Sequence, residues 1–312
     1  MLSVVFSFRN EEENIPELVS RVSDVILGIE GMNYEIIFVN DSSTDRSLEI
    51  LSDLQNKYPI TIINMSRRFG VMPCVLAGLK HSRGDIVVYM DSDLQDPPEL
   101  IPNLISKFEE GTDVVHTKRT KRLGESMLKM FMTSIAYRLI NFTSNILMPV
   151  QAGDFKLLSR RAIDHINNLK EYNPYVRGLT VWIGFKQETV DYVRHERSGG
   201  KTKQAFFSGN LLAGPWAEFI RGITGFSTGP LFFGVFVGVL AIIFSIILIV
   251  YALIDKYYGN AVLGTTGILI AISFFSGIIL STVGIIGIYI ARIYEQIQGR
   301  PRYIIKNILK PK

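Results

Sequence analysis

The sequence predicts an α/β domain with a mainly parallel sheet, followed by interfacial helices and two transmembrane helices. Three observations lead to this prediction. Short apolar runs alternate with segments of helical periodicity in the first third of the chain, which is typical of a doubly wound sheet. Polar and acidic residues follow several of these runs, where ligands bind in such sheets. Two uncharged apolar spans lie in the last third, and each exceeds the ~20 residues that cross a hydrocarbon core.

The elements of the first domain are predicted from the spacing of its apolar residues. Strands are expected at residues 3–8, 34–39, 60–64 and 86–90, and helices at 16–29, 46–58 and 70–81. The small polar residues 40–45 are expected to cap the helix that follows them. An Asp in such a position is a helix cap more often than a ligand, and this interpretation applies to Asp41 taken alone.

The most informative stretch is Asp91-Ser92-Asp93-Leu94-Gln95-Asp96-Pro97-Pro98-Glu99, which directly follows the apolar run 86–90. A continuous apolar run suits a buried parallel strand, and the two prolines end the strand and favour a helix start near Glu99. Carboxylate and amide oxygens are hard ligands that suit Mg²⁺ or Mn²⁺. A plain acidic turn is the alternative for an isolated Asp-x-Asp, but the preceding strand and the following residues favour the metal site.

Several classes of protein are disfavoured by what the sequence lacks. No Gly-x-Gly-x-x-Gly follows the first strand, which argues against a dinucleotide-binding dehydrogenase. Gly200-Lys201-Thr202 resembles the end of a P-loop, but His195 stands where its first glycine belongs. Cys74 is the only cysteine, which excludes an intrachain disulfide and a cysteine-based metal site. The net charge of +4 is too small to suggest nucleic acid as a partner.

The charges around the two apolar spans predict the topology. The spans cover residues 231–254 and 264–291, and the short turn between them carries only Asp255 and Lys256. Six basic residues follow the second span: Arg292, Arg300, Arg302, Lys306, Lys310 and Lys312. The positive-inside rule therefore predicts a multi-pass protein of the cell membrane, with both termini and the first domain in the cytoplasm. Met1 leads directly into a strand-like run, so no signal peptide is expected.

These motifs carry a family resemblance. Residues 39–45, the stretch 91–99 and the two C-terminal spans together resemble the family-2 glycosyltransferases of GT-A fold. The group with the greatest similarity is the polyprenyl-phosphate glycosyltransferases, which includes bactoprenol glucosyltransferases and dolichol-phosphate mannose synthases. The resemblance covers nearly the whole chain. It departs from the family pattern at Ser7-Phe8-Arg9-Asn10-Glu11, where the family usually reads Pro-x-Tyr-Asn-Glu, and at Gly70-Val71-Met72, where it reads Gly-Lys-Glu.

The resemblance implies inverting transfer of a hexose from a nucleotide-sugar donor to a membrane polyprenyl phosphate, such as undecaprenyl phosphate. UDP-glucose is the favoured donor, and UDP-GlcNAc, UDP-galactose and GDP-mannose stay open. The implied division is a glycosyltransferase domain at 1–205 with a membrane-surface helix at 125–148, an interfacial helix at 206–229, transmembrane helices within 230–292 and a basic tail at 293–312. Association with further copies of the chain is left open.

The resemblance also assigns roles to individual residues. Metal ligands are expected at Asp91, Asp93 and Gln95. The donor is expected to contact Ser7, Arg9, Glu11, Asp41, Arg67, Asp91 and Ser92. Donor or acceptor phosphates are expected to contact Arg119, Arg122, Arg197, Lys201 and Lys203. Asp154, in the segment Gly153-Asp154-Phe155, is the candidate catalytic residue, either as a base or as a group that orients the acceptor. A base is only weakly required, because a phosphate monoester is already anionic at neutral pH.

Three alternative functions stay open at this point. A processive polysaccharide synthase is disfavoured because neither Trp182 nor Trp216 lies in a Gln-x-x-Arg-Trp motif. A catalytically inactive membrane scaffold is disfavoured by the intact acidic residues of the motifs. A channel or flippase subunit has little support, because the apolar spans carry no acidic or basic residue.

Overall fold

The computed structural model describes residues 1–122, 138, 141–143, 149, 152–172, 174–194, 215–258 and 265–311. The chain divides into two compact units. The first comprises Met1–Phe142, Ile146–Gly222 and Pro301–Lys312, and the second comprises Thr143–Asn145 and Ile223–Arg300. The C-terminal residues therefore return to the same unit as the N-terminal domain.

The first unit is built on a mostly parallel sheet, which confirms the predicted fold class. Within the described residues its strands are β1 (Leu2–Phe8), β2 (Tyr34–Asn40), β3 (Ile60–Met65), β4 (Ile86–Asp91), β5 (Val114–Arg122), β6 (Ala152–Ser159), β7 (Gln187–Arg194) and β8 (Ile305–Leu309). Their order is β7-β5-β6-β4-β1-β2-β3-β8. Strand β6 is antiparallel to β4 and β5, and β8 is antiparallel to β3. The other pairings are parallel.

Helices cover both faces of this sheet. They are α1 (Ile15–Leu27), α2 (Ser47–Leu54), α3 (Val71–His81), α4 (Ile101–Glu109), α5 (Arg160–Asn168) and α6 (Val176–Trp182). A 3₁₀ turn, Pro98–Leu100, precedes α4, which confirms the predicted helix start after the paired prolines. Alternate strand residues contribute to two buried clusters, with Phe6 and Val88 in one and Val5 and Tyr89 in the other. A central sheet buried on both faces explains why its strands read as continuous apolar runs.

Strand β8 was not predicted from the sequence. It lies in the segment expected to be a basic tail and pairs with β3 at the edge of the sheet. Side-chain amides continue this connection, because Asn40 donates to Asn64 at 2.9 Å and Asn64 donates to Asn307 at 2.8 Å. The strand is only five residues long, and the edge of β3 offers the unpaired backbone groups with which it pairs.

The basic run Thr117–Arg122, which contains the expected phosphate-binding residues Arg119 and Arg122, lies within β5. The pairing of β5 with β7 extends the strand through Arg122, with a register shift between Arg119 and Lys121. Of the interfacial helix expected at 206–229, the structure describes α7 (Pro215–Phe226). The predicted membrane-surface helix at 125–148 lies almost entirely outside the described residues.

The second unit contains two long apolar helices, α8 (Gly229–Tyr257) and α9 (Thr265–Ile297). Both are long and apolar enough to cross a membrane, with mean hydropathy 3.1 over Gly229–Tyr251 and 2.1 over Phe274–Ile297. Phe244 and Phe274 pack edge to face at 6.0 Å between ring centroids. Only 6% of the first apolar window and 0% of the second is buried within the protein, so these are not core helices of a soluble domain.

Candidate active site

The candidate site lies where β4 ends and β6 begins. Asp91 is the last residue of β4, and Asp154 is the third residue of β6. Because the two strands are antiparallel, the start of β6 lies at the carboxyl edge of the parallel strands. Tyr89 pairs with Lys156, so the same register continued by two residues brings Asp91 level with Asp154. The two carboxylates that the sequence separates widely therefore share one edge of the sheet.

Four carboxylates converge here and form what we call the acidic cluster: Asp91, Asp93, Asp96 and Asp154. Asp154 is 8% exposed and Asp96 is fully buried, whereas Asp91 is half-buried. Burial raises the pKa of Asp91 to about 7, and the neighbouring carboxylates of the acidic cluster act in the same direction. Negative charge on Asp91 is thus unfavourable in this setting, and a cation bound beside the carboxylate would stabilise that charge.

The loop that carries Asp93 is fixed by contacts to the sheet. Ser92 Oγ donates to the backbone oxygen of Ser7 at 3.1 Å, which ties the loop to the end of β1. Leu94 is 2% exposed and adopts the left-handed conformation with φ 59°, which is uncommon for a residue with a side chain. The backbone N–H of Gln95 donates to Asp93 Oδ1 at 3.3 Å. Packing of Leu94 therefore holds the turn that presents Asp93 beside Asp91.

The donor set of this loop fits a hard divalent cation. Asp91 and Asp93 offer carboxylate oxygens, and Mg²⁺ is usually held by one or two carboxylates together with substrate phosphates. Within the described ranges no group of three or more His, Cys, Asp or Glu side chains is arranged to hold a metal ion by itself. The two carboxylates thus suit a cation that completes its coordination with the substrate. The expected participation of Gln95 stays a prediction.

Asp154 is held by an arginine that the sequence analysis missed. Arg177, on α6, donates from Nε to Asp154 Oδ1 at 2.7 Å and from Nη2 to Oδ2. Burial opposes the charge on Asp154, but Arg177 nevertheless lowers its pKa to about 2, assisted by Lys156. Asp154 is therefore an ionised carboxylate in a fixed, bidentate pair. Nothing in the spacing along the chain points to Arg177, because α6 reaches β6 only in the fold.

Beneath this pair lies a buried polar row across three strands. Lys156 lies opposite Tyr89 on β4 and opposite His116 on β5. Its ammonium donates to Thr180 Oγ1 at 3.0 Å, and burial lowers its pKa to about 7. Burial and the nearby Lys156 also lower the pKa of His116 to about 3. The floor of the site is thus polar, with Lys156 only partly charged and His116 uncharged at neutral pH.

A second network closes the site on the β5 and β7 side. Tyr192 donates its hydroxyl hydrogen to buried Asp96 and accepts from Arg119 Nε at 3.0 Å. Arg119 is only 8% exposed, and although burial disfavours its charge, Asp96 and Tyr192 raise its pKa. Arg119, predicted to contact phosphate, thus lies beside the acidic cluster but is engaged by protein groups. Arg122 ends β5 at the same edge.

The residues expected to hold the donor lie at the ends of β1 and β2. The carboxylate of Asp41 accepts hydrogen bonds from the backbone N–H groups of Phe69, at 2.6 Å, and Gly70, at 3.1 Å. Asp41 thus binds the loop that opens α3, and the expectation that it caps the helix following it was wrong. Gly70 has φ 95°, a conformation that favours glycine at this turn.

Glu11 and Arg67 occupy different settings near this loop. Glu11 is buried and accepts from Asn14 Nδ2 at 2.6 Å, while its own backbone N–H donates to Ser47 Oγ at 2.9 Å. Arg67 is exposed, with its guanidinium 4.2 Å from the ring centroid of Phe69. Arg9 directly follows β1, at the same sheet edge. The predicted phosphate-binding residues Arg197, Lys201 and Lys203 lie outside the described residues.

Comparison with known proteins identifies the family. The model of glycosyl transferase family 2 matches residues 3–166. An uncharacterised glycosyltransferase of Bacillus subtilis is 40% identical, covering 98% of this chain and 93% of its own. A prophage bactoprenol glucosyl transferase homolog of Escherichia coli is 37% identical, covering 99% of both chains. The bactoprenol glucosyl transferase of Shigella phage SfII is also 37% identical, over 98% of this chain and 97% of its own. The chain belongs to glycosyl transferase family 2 and is a glycosyltransferase.

Proposed function

We propose that the protein transfers glucose from UDP-glucose to a membrane polyprenyl phosphate such as undecaprenyl phosphate. The observation that carries this proposal is the meeting of Asp91 and Asp93 with the Asp154–Arg177 pair at one sheet edge. Asp91 and Asp93 suit a metal-bound diphosphate, and the Asp154–Arg177 pair suits an anionic acceptor. The similarity to bactoprenol glucosyl transferases over nearly the whole chain supports the same choice of sugar and lipid.

On the donor side, Asp91 and Asp93 would hold Mg²⁺ or Mn²⁺ against the donor diphosphate. The cation would supply electrostatic stabilisation of the charge that grows on the leaving nucleoside diphosphate. Asp41 would contribute to the nucleoside pocket indirectly as well, since its carboxylate holds the backbone of Phe69 and Gly70. Glu11 would contribute from the loop after β1, where its backbone N–H donates to Ser47 Oγ. Arg122, Arg197, Lys201 and Lys203 are proposed to contact phosphate groups of the two substrates.

On the acceptor side, Asp154 would position the lipid phosphate rather than remove a proton from it. A carboxylate whose pKa lies near 2 is a weak base at neutral pH, and the phosphate is already anionic. Arg177 keeps Asp154 ionised and offers positive charge near the entering phosphate. The phosphate oxygen would then attack the anomeric carbon from the face opposite the leaving group and invert its configuration.

We also propose that α8 and α9 cross the membrane as a hairpin. Few of their apolar side chains are buried within the protein, and leaving such surfaces exposed is costly in water. Strand β8 follows α9 and pairs with β3, so the chain beyond the hairpin ends in the sheet of the catalytic unit. Both termini must therefore lie on one side of the membrane, and the basic residues after α9 favour the cytoplasm. The reaction itself requires the site to reach the headgroup layer, where the lipid phosphate lies.

Cysteine labelling tests this topology. We expect Tyr258→Cys, at the exposed end of α8, to react with an impermeant maleimide added to intact cells, and Lys310→Cys to stay unlabelled. The native Cys74 is a suitable silent background, because it is fully buried and burial raises the pKa of its thiol. The opposite labelling pattern would contradict a cytoplasmic active site.

A donor panel tests the proposed reaction itself. Detergent-solubilised protein is incubated with undecaprenyl phosphate, a divalent cation and radiolabelled UDP-glucose, UDP-GlcNAc, UDP-galactose or GDP-mannose. We expect label to enter the organic phase mainly from UDP-glucose, as a product sensitive to mild acid. Transfer from another donor would overturn the choice of sugar while keeping the lipid acceptor. Label in a water-soluble polymer would instead support a polysaccharide synthase.

A further inference from the structure

The last residue of β7, Arg194, directs its guanidinium into the acidic cluster. Arg194 Nη2 lies 3.8 Å from Asp91 Oδ2 and 4.0 Å from Asp93 Oδ2, and Nε lies 3.3 Å from Asp96 Oδ1. The side chain is only 16% exposed. One positive charge therefore sits beside both carboxylates that the proposed function assigns to the metal.

These contacts are ion pairs without well-formed hydrogen bonds. Among the described residues, Arg194 Nε is buried and has no acceptor in hydrogen-bond geometry, and Asp96 Oδ2 is buried without a donor. The Asp154–Arg177 pair is different, because both carboxylate oxygens accept directed hydrogen bonds. Ion pairs with directed hydrogen bonds are the stronger ones. Arg177 is thus a fixed partner of its carboxylate, whereas Arg194 is held mainly by charge.

We propose that Arg194 is a resident counter-ion of the acidic cluster, which the divalent cation displaces when it binds Asp91 and Asp93. This inference rests on the proposed metal site and adds a residue that opposes metal binding in the free protein. A guanidinium and a divalent cation at the same two carboxylates repel each other strongly at these distances. The displaced guanidinium stays within reach of the same sheet edge, where it would face the negative charge of the donor diphosphate.

This arrangement couples metal entry to donor binding. In the free protein Arg194 partly neutralises the cluster, which lowers the affinity for a cation alone. When the donor binds together with the cation, the donor diphosphate offers Arg194 a new negatively charged partner in place of the carboxylates. We therefore expect the protein to bind the cation weakly by itself and tightly together with a nucleoside diphosphate.

The test is a titration of the purified full-length protein with Mn²⁺ in the absence of nucleotide, with free Mn²⁺ followed by its electron paramagnetic resonance signal. We expect Arg194→Gln to bind Mn²⁺ about tenfold more tightly than the wild type, because one positive charge about 4 Å from both ligands is removed. At saturating Mn²⁺ we expect the same variant to bind UDP about tenfold more weakly. Unchanged or weaker Mn²⁺ binding by Arg194→Gln would overturn the proposal.

Two controls make the outcome specific. Lys186→Gln removes one positive charge just before the opposite end of β7, where Lys186 pairs with Glu188 at 3.2 Å, and should leave Mn²⁺ affinity unchanged. Equal tightening by both variants would mean that net charge alone is responsible, which would also overturn the role of Arg194. Asp93→Asn reports on the underlying metal site. If wild type and Asp93→Asn bind Mn²⁺ equally, the proposed metal site fails independently of Arg194.

Discussion

Asp93→Asn should retain the fold and lower glycosyl transfer by about a thousandfold. The substitution removes a negative charge from the proposed metal site with almost no change in volume. Stabilisation by a bound cation is worth several kcal/mol, and each ~1.4 kcal/mol corresponds to a tenfold change in rate. Asp93 lies in a loop after β4, so the core of the sheet is not disturbed. The measurement is lipid-linked product formed per minute, alongside a thermal melt of each protein.

Glu99→Gln is the matched control for this variant. It removes one carboxylate charge from the 3₁₀ turn that follows this loop, but Glu99 is exposed and pairs with Arg21 at 2.9 Å, outside the acidic cluster. We expect it to be fully active. Wild-type transfer should also stop in EDTA and resume when Mn²⁺ or Mg²⁺ is added in excess. A fully active Asp93→Asn protein, or wild-type activity that survives EDTA, would refute the metal site.

The parts of the fold that depend on local sequence were predicted well. The apolar run before Asp91 and the paired prolines after Asp96 set a strand, an acidic turn and a helix start within a few residues. The apolar spans were recognised from composition, because length and lack of charge are enough to predict such helices. In each case the information lies within one contiguous segment, so no tertiary contact is needed to read it.

The parts that depend on sheet order could not be predicted in this way. Arg177, Tyr192 and Arg194 reach the acidic cluster only because β6 is antiparallel and lies between β4 and β5, with β7 beyond. Asp41 illustrates the same limit at a shorter range. Its position after β2 indicated that it caps the helix following it in the sequence. The parallel strands instead place the loop that opens α3 next to Asp41, and the backbone N–H groups of that loop donate to its carboxylate. Local patterns thus identify a capping residue more readily than its partner.

Asp154→Asn should lower turnover by about a hundredfold or more while leaving the affinity for UDP near that of the wild type. Asp154 is paired with Arg177 on the acceptor side, whereas the donor diphosphate is assigned to Asp91 and Asp93. A residue that acts mainly in the transition state lowers turnover more than ground-state binding. Calorimetric titration with UDP and Mn²⁺, beside turnover assays on the same preparations, measures both quantities.

Asp113→Asn separates this effect from a loss of stability. Asp113 also forms a bidentate pair with an arginine, Arg161, and is likewise buried, but it precedes β5, away from the acidic cluster. We expect the two variants to melt at similarly reduced temperatures, and only Asp154→Asn to lose turnover. Equal losses of UDP affinity and turnover in Asp154→Asn would place the residue on the donor side. Full turnover would show that the anionic acceptor is positioned without this carboxylate, and Arg177 would then be the group that binds it.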